Sequence, residues 1–128
     1  MRDIAHNIGV VQAVAPAVLA ATTNSAALDL IGFESAAFVI NTGEIAGDGV
    51  FSAKVQESDQ TTAGSFTDVD PDHLHGAFPA SLPANGTAKI GYRGFKRYVR
   101  LVLTKASGTS IAAGAVLIKG NAAEKPVA

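Results

Sequence analysis

Between Arg97 and Lys105 the chain alternates without interruption: Val99, Leu101 and Leu103 fall on one side, and Tyr98, Arg100, Val102 and Thr104 on the other. A period of two belongs to an extended strand, and three large aliphatic side chains on one side require a second layer to cover them. Ala106-Ser107-Gly108-Thr109 follows with turn-forming residues, and Ala112 to Lys119 is then short, apolar and rich in β-branched residues. The pattern predicts two core strands paired as a hairpin.

Other segments read the same way. Ser35 to Thr42 predicts an inner strand, with Phe38 and Ile40 on one face and Ala37 and Val39 on the other. Gly43 to Gly49 predicts a hairpin-type connection, and Phe51, Ala53 and Val55 alternate with Ser52, Lys54 and Gln56. Thr87 to Tyr92 predicts a further strand. Ile8 to Val14 and Ala17 to Thr22 read as two short strands divided by Pro16, with an alanine-rich helix as the alternative. Between Glu57 and Gly86 the chain is polar and punctuated by Pro71, Pro79 and Pro83, so only Phe66 to Val69 is expected to form a strand.

Short strands, long polar loops and no convincing helix predict an all-β fold: an antiparallel β-sandwich or jelly-roll-like single domain over residues 1–128. Residues 1–7 read as an extended N-terminal arm and residues 121–128 as a C-terminal tail, Pro126 and its small neighbours favouring an extended path. Ile4 to Ala21 has the outline of a signal peptide, but Asp3, His6, Asn7, Gln12 and Pro16 argue against one. With no apolar run near the ~20 residues that span a bilayer, a soluble protein is expected, with no membrane partner.

The apolar fraction is 48%, yet much of it is alanine, which packs closely but buries little area per residue. The thin core makes association between copies a natural supplement, so a homo-oligomer is expected, with a trimer favoured. A net charge of −1 gives no global drive toward nucleic acid or anionic lipid. The absence of cysteine removes disulfides, thiolate catalysis and the usual zinc-finger ligation.

Two clusters could carry chemistry. Asp68, Asp70, Asp72, His73 and His75 lie within eight residues. Aspartates suit calcium and imidazoles suit zinc, but the mixture matches neither a 12-residue calcium loop nor a helical zinc motif. Asp70, Asp72, His73 and His75 are therefore metal candidates beside the simpler reading of a solvated turn, and no metal or other cofactor is expected. The second cluster joins Tyr92, Arg93, Phe95, Lys96 and Arg97, followed by Tyr98 and Arg100. Cations with interleaved aromatics can hold single-stranded nucleic acid. The neutral total charge favours a protein-contact edge or a solvated surface instead, and no nucleic acid is expected. The chain has no GxSxG, HExxH, Walker or Rossmann signature, so no enzyme and no catalytic residues are expected.

The segments VVQAVAPAVLAATTNSAALDLIGFESAAFVIN, AKVQESD and GYRGFKRYVRLVLTKASGTSIAAGAVLIKG resemble small proteins encoded near the major capsid gene of tailed bacteriophages. The resemblance covers most of the chain, with Thr61 to Gly86 least distinctive. It implies a virion component at the capsid surface: a head decoration, or cement, protein whose partner is the major capsid protein. A tail or head-completion protein is the nearest alternative. A carbohydrate-binding sandwich, stacking sugars on Tyr92, Phe95 and Tyr98, is a third reading.

Overall fold

The computed structural model describes residues 3–123. Ten strands occur among them: β1 (Gly9–Leu19), β2 (Thr23–Asn24), β3 (Leu28–Asp29), β4 (Phe33–Ala46), β5 (Val50–Ser58), β6 (Thr67–Asp68), β7 (Leu74–His75), β8 (Thr87–Tyr92), β9 (Tyr98–Ser107) and β10 (Ser110–Ala122). One antiparallel sheet runs β1-β10-β4-β8-β7 and the other β2-β9-β5-β6, with β3 also paired to β9. The fold is an all-β sandwich, and its strand order is that of a jelly roll, in which the chain alternates between facing sheets.

The alternating pattern predicts the core well. Val99, Leu101 and Leu103 from β9 are fully buried against Phe38 and Ile40 of β4, Phe51 of β5, and Ile111 and Leu117 of β10. The predicted pairing of β9 with β10 is wrong: the two strands lie in opposite sheets. The same is true of the connection expected at Gly43 to Gly49. There β4 continues to Ala46, turns at Gly47 and Asp48, and emerges as β5 in the other sheet.

Both connections are corners, and they are stacked. Ser110 pairs with Ala46 on one side and Val50 with Ser107 on the other, so β4–β5 and β9–β10 form one long ribbon folded over the core. The local sequence of a tight turn is the same for a hairpin and for this corner. The difference comes from the partner chain some sixty residues away, against which each turn packs.

Other boundaries also moved. β1 is one strand through Pro16, because that residue sits on an edge strand within the register shift between Val14 and Ala17, where it has no ladder partner to lose. The strand expected over Phe66 to Val69 shrinks to Thr67–Asp68, while Phe66 and Val69 are buried. In the long loop Leu82 is buried and donates its N–H to Phe51 O at 2.8 Å, fixing a segment that reads as merely polar.

The extended arm expected over residues 1–7 is, from Asp3 to Asn7, a turn: Asp3 Oδ1 accepts the His6 N–H at 3.0 Å and Ile4 O accepts the Asn7 N–H at 3.0 Å. Asn121 and Ala122, assigned to the tail, belong to β10. Residues 1–2 and 124–128 lie outside the described residues. Among the described residues no helix is long and apolar enough to cross a membrane.

Candidate functional site

The inner face of β8 ends on Tyr92, which is buried although its hydroxyl needs a partner. It finds two. The hydroxyl donates to Glu57 Oε1 at 2.7 Å and accepts the Lys96 N–H at 3.2 Å, so the chain from Arg93 to Lys96 wraps around the phenol oxygen. Gly94 makes the close wrap possible, since a Cβ there would overlap that oxygen. Burial, reinforced by the Glu57 hydrogen bond, raises the Tyr92 pKa and keeps the phenol a donor at all ordinary pH. Tyr92→Phe is therefore expected to lower stability by about 1–2 kcal/mol, because Glu57 and the Lys96 amide lose their partner together. Chemical denaturation would measure the loss, with faster amide exchange at Lys96 as the local sign.

This wrapped loop forms one lip of a cleft of about 420 Å³; the other lip runs from Leu30 to Ala36. Phe95 projects from the first lip at 81% exposure and Ile31 from the second at 66%. Each lip thus carries one large apolar side chain in water. Around them the charges are internally balanced. Arg97 grips Asp29 with two hydrogen bonds, at 3.0 and 2.8 Å, and Lys96 Nζ lies 3.0 Å from Asp59 Oδ2. Lys119 Nζ stands 4.6 Å over the Phe33 ring, and Glu34 accepts from Asn121 Nδ2 at 2.6 Å.

The Arg97 hydrogen bond holds the Asp29 carboxyl below its usual range, outweighing the opposing effect of desolvation. A carboxyl depressed on folding stabilises above its unfolded pKa, and that contribution is lost as pH falls through the folded value. Asp29→Asn is thus expected to lower the melting temperature slightly at neutral pH, with the difference shrinking progressively as pH falls below about 4. Paired thermal melts across that range would check it. A constant offset would point to packing instead.

Four of the five protein-contact candidates, Tyr92, Phe95, Lys96 and Arg97, line this cleft; Arg93 does not. Its guanidinium Nε donates to Asp72 O at 2.8 Å and its amide to His73 O, so Arg93 ties the loop to the Asp/His turn. Arg100 is likewise committed, to Gln56 Oε1 at 2.7 Å and to the face of Phe66. The basic cluster is therefore a set of internally engaged cations. The sugar-stacking set is not assembled either: Tyr92 is 3% exposed, and the Arg97 guanidinium lies 5.1 Å from the Tyr98 ring centroid.

The metal candidates separate. Asp70 Oδ1 accepts the Asp72 N–H at 3.0 Å, capping a short 3-10 turn over Pro71–His73. The His73 ring meets Phe95 edge-on at 5.5 Å, and His75 lies on β7 beside Gly91. No group of three His, Cys, Asp or Glu is placed to hold an ion among the described residues.

No family model and no curated protein matches this chain. Among solved structures it is similar to a chain of infectious bursal disease virus, Gx strain, at 13% identity and a TM-score of 0.45, covering 93% of this chain. The chain spans 33% of the length of that viral chain. It is also similar to a chain of the disulfide-linked pili of Bacillus endospore appendages (10% identity, TM-score 0.43, 94% of this chain and 95% of that one). For PirA the values are 12% identity, TM-score 0.39, and 94% and 99% coverage.

Sequence reading missed the acidic half of the cleft. Glu34 and Asp59 line it, and Asp29 and Glu57 hold Arg97 and Tyr92 from behind; all lie far from Tyr92–Arg97 in the chain and carry no local signature. Ile31, an aliphatic residue next to Gly32 in a turn, was the one legible hint.

Proposed function

We propose that this chain is a non-enzymatic structural protein of a tailed-phage virion, a head decoration or cement protein that seats the cleft end of its sandwich on the major capsid protein. The observation that carries the reading is the exposure of Phe95, on a loop tied to the Tyr92 hydroxyl, opposite Ile31 on a charge-balanced rim. An aromatic anchor on a preformed loop costs less entropy on docking than one on a loop that must order, and a rim whose ions already pair locally leaves no buried charge unmatched. The start of β1 and the end of the described chain reach the same wall: Gly9 abuts the Phe33 ring, and Ala123 donates to Gly32 O at 2.8 Å. The resemblance of the sequence to proteins encoded beside major capsid genes supplies the particle.

The test is to add purified protein to phage shells that lack it. The expected result is saturable binding at regular outer positions in electron microscopy, with a higher temperature of shell disruption. Density confined to the tail or portal, or no binding, would overturn the assignment.

A further inference from the structure

The two outer faces of the sandwich differ in kind. The face of the β2-β9-β5-β6 sheet is laced with polar contacts: Lys54 with Asp68 at 3.2 Å, Gln56 with Asp68 at 2.8 Å, and Arg100 with Gln56 at 2.7 Å. The outer face of the β1-β10-β4-β8 sheet has almost none of this. Its register aligns Val10, Ile118, Ala37 and Gly91 in one cross-strand row, and Gln12, Val116, Val39 and Lys89 in the next. The alternate positions, including Val11, Leu117, Phe38 and Ile90, turn into the core. An antiparallel sheet facing water normally shows polar residues on that side. Here Lys89 is the one charge in the two rows and Val10 is 58% exposed; the adjoining row sets the neutral Asn41 and Thr87 beside Gly114, and Glu44 and His75 stand at the margins.

We propose that this face packs against the same face of a second copy, about a two-fold axis parallel to the strands. Such an axis reverses the strand order, so β1 meets the partner's β8 and β10 meets its β4. In the first row Ile118 then covers an alanine (position 37), so a large side chain meets a small one, while Val10 meets the glycine at position 91 and the His75 side chain packed beside it. In the second row Val116 meets a valine (position 39), and the Lys89 ammonium reaches the Gln12 amide oxygen of the other copy. No like charges meet.

The area is sufficient. Three strands of about eleven residues, at ~3.4 Å rise and ~4.8 Å spacing, with part of a fourth, give roughly 600 Å² in plan. Corrugation brings this toward the ~800 Å² per partner of a stable interface. Edge-to-edge pairing is closed as an alternative on the β1 side, since β1 carries two register shifts and Pro16.

Sedimentation of the whole chain over a wide concentration range tests the contact, independently of any shell. The wild type is expected to dimerise. Val39→Glu and Val116→Lys should each weaken the dimer about a hundredfold or more, because a charge is then buried without a partner. An equimolar mixture of the two variants should dimerise again, since the new carboxylate of one copy faces the new ammonium of the other. Gln12 is exposed and remote from the core, so its variants keep the fold: Gln12→Glu should tighten the dimer a few-fold and Gln12→Arg loosen it. A monomer or a trimer at all concentrations, or equal effects of the two Gln12 variants, would overturn the proposal. Loss of shell binding by a protein that still dimerises would count only against the decoration role.

Discussion

Gly108→Ala is expected to be the most destabilising single-methyl change in the fold, at about 3–5 kcal/mol. The residue has φ of +80°, where any side chain costs about 1–2 kcal/mol. A Cβ there would also run into the Asp48 carbonyl and the Gly49 Cα of the stacked corner. Those are backbone atoms, and neither corner can retreat without pulling on both sheets, because the pairs Ser110–Ala46 and Val50–Ser107 flank it. For a domain of this size the loss corresponds to a drop in melting temperature of roughly 10–20 °C. Gly76→Ala supplies the control. Its φ is +87°, but nothing lies within 4 Å of its Cβ position, so only the backbone strain remains. Calorimetry showing the two variants equally destabilised would mean that the corners give way more easily than their packing implies.

The second large effect belongs to recognition. Phe95→Ala is expected to weaken binding to shells by about 30- to 1,000-fold, the range of an aromatic hot spot worth roughly 2–4 kcal/mol. Its melting temperature should stay within a degree or two of the wild type, because the ring is mostly in water and its recorded aromatic contact is the edge of His73. The contrast with Arg97→Ala makes the measurement specific. That change removes the clamp on Asp29, so it should reduce stability modestly and binding only in proportion to the disturbed lip. Co-sedimentation of both variants with shells, at matched fractions folded, separates an anchor from a brace. If Phe95→Ala binds as the wild type does, the cleft is not the contact.

How much of this could be read from residues alone follows from how local each signal is. Val99, Leu101 and Leu103, or Phe38 and Ile40, announce their burial through spacing within a single strand. Ala106 to Thr109 cannot announce which sheet the chain enters next. That depends on Gly47 and Asp48, whose turn nests beside Gly108 only after the chain has returned. The Tyr92–Arg97 cluster was visible as a run of cations and aromatics, yet its chemistry was inverted by partners it does not adjoin in sequence: Asp29 and Asp59 neutralise Arg97 and Lys96, and Glu57 claims the Tyr92 hydroxyl. In the Asp/His loop the residue types suggested ligation, but Asp70 is spent on the Asp72 amide and the two imidazoles point to different neighbours. The sequence spacing was compatible with convergence; the short turn led by Pro71 prevents it.

The folded ribbon of β4–β5 and β9–β10 also governs when the protein can fold. β10 is hydrogen-bonded between β1 and β4, and it spans residues 110–122. During synthesis the first sheet therefore stays split, with the core faces of β1 and β4 exposed, until almost all of these residues have left the ribosome. Folding is expected to be late, cooperative and slow, as in other folds dominated by pairings distant in sequence. Nascent chains stalled before residue 110 should be degraded readily by protease, whereas chains extended past residue 122 and clear of the exit tunnel should resist it.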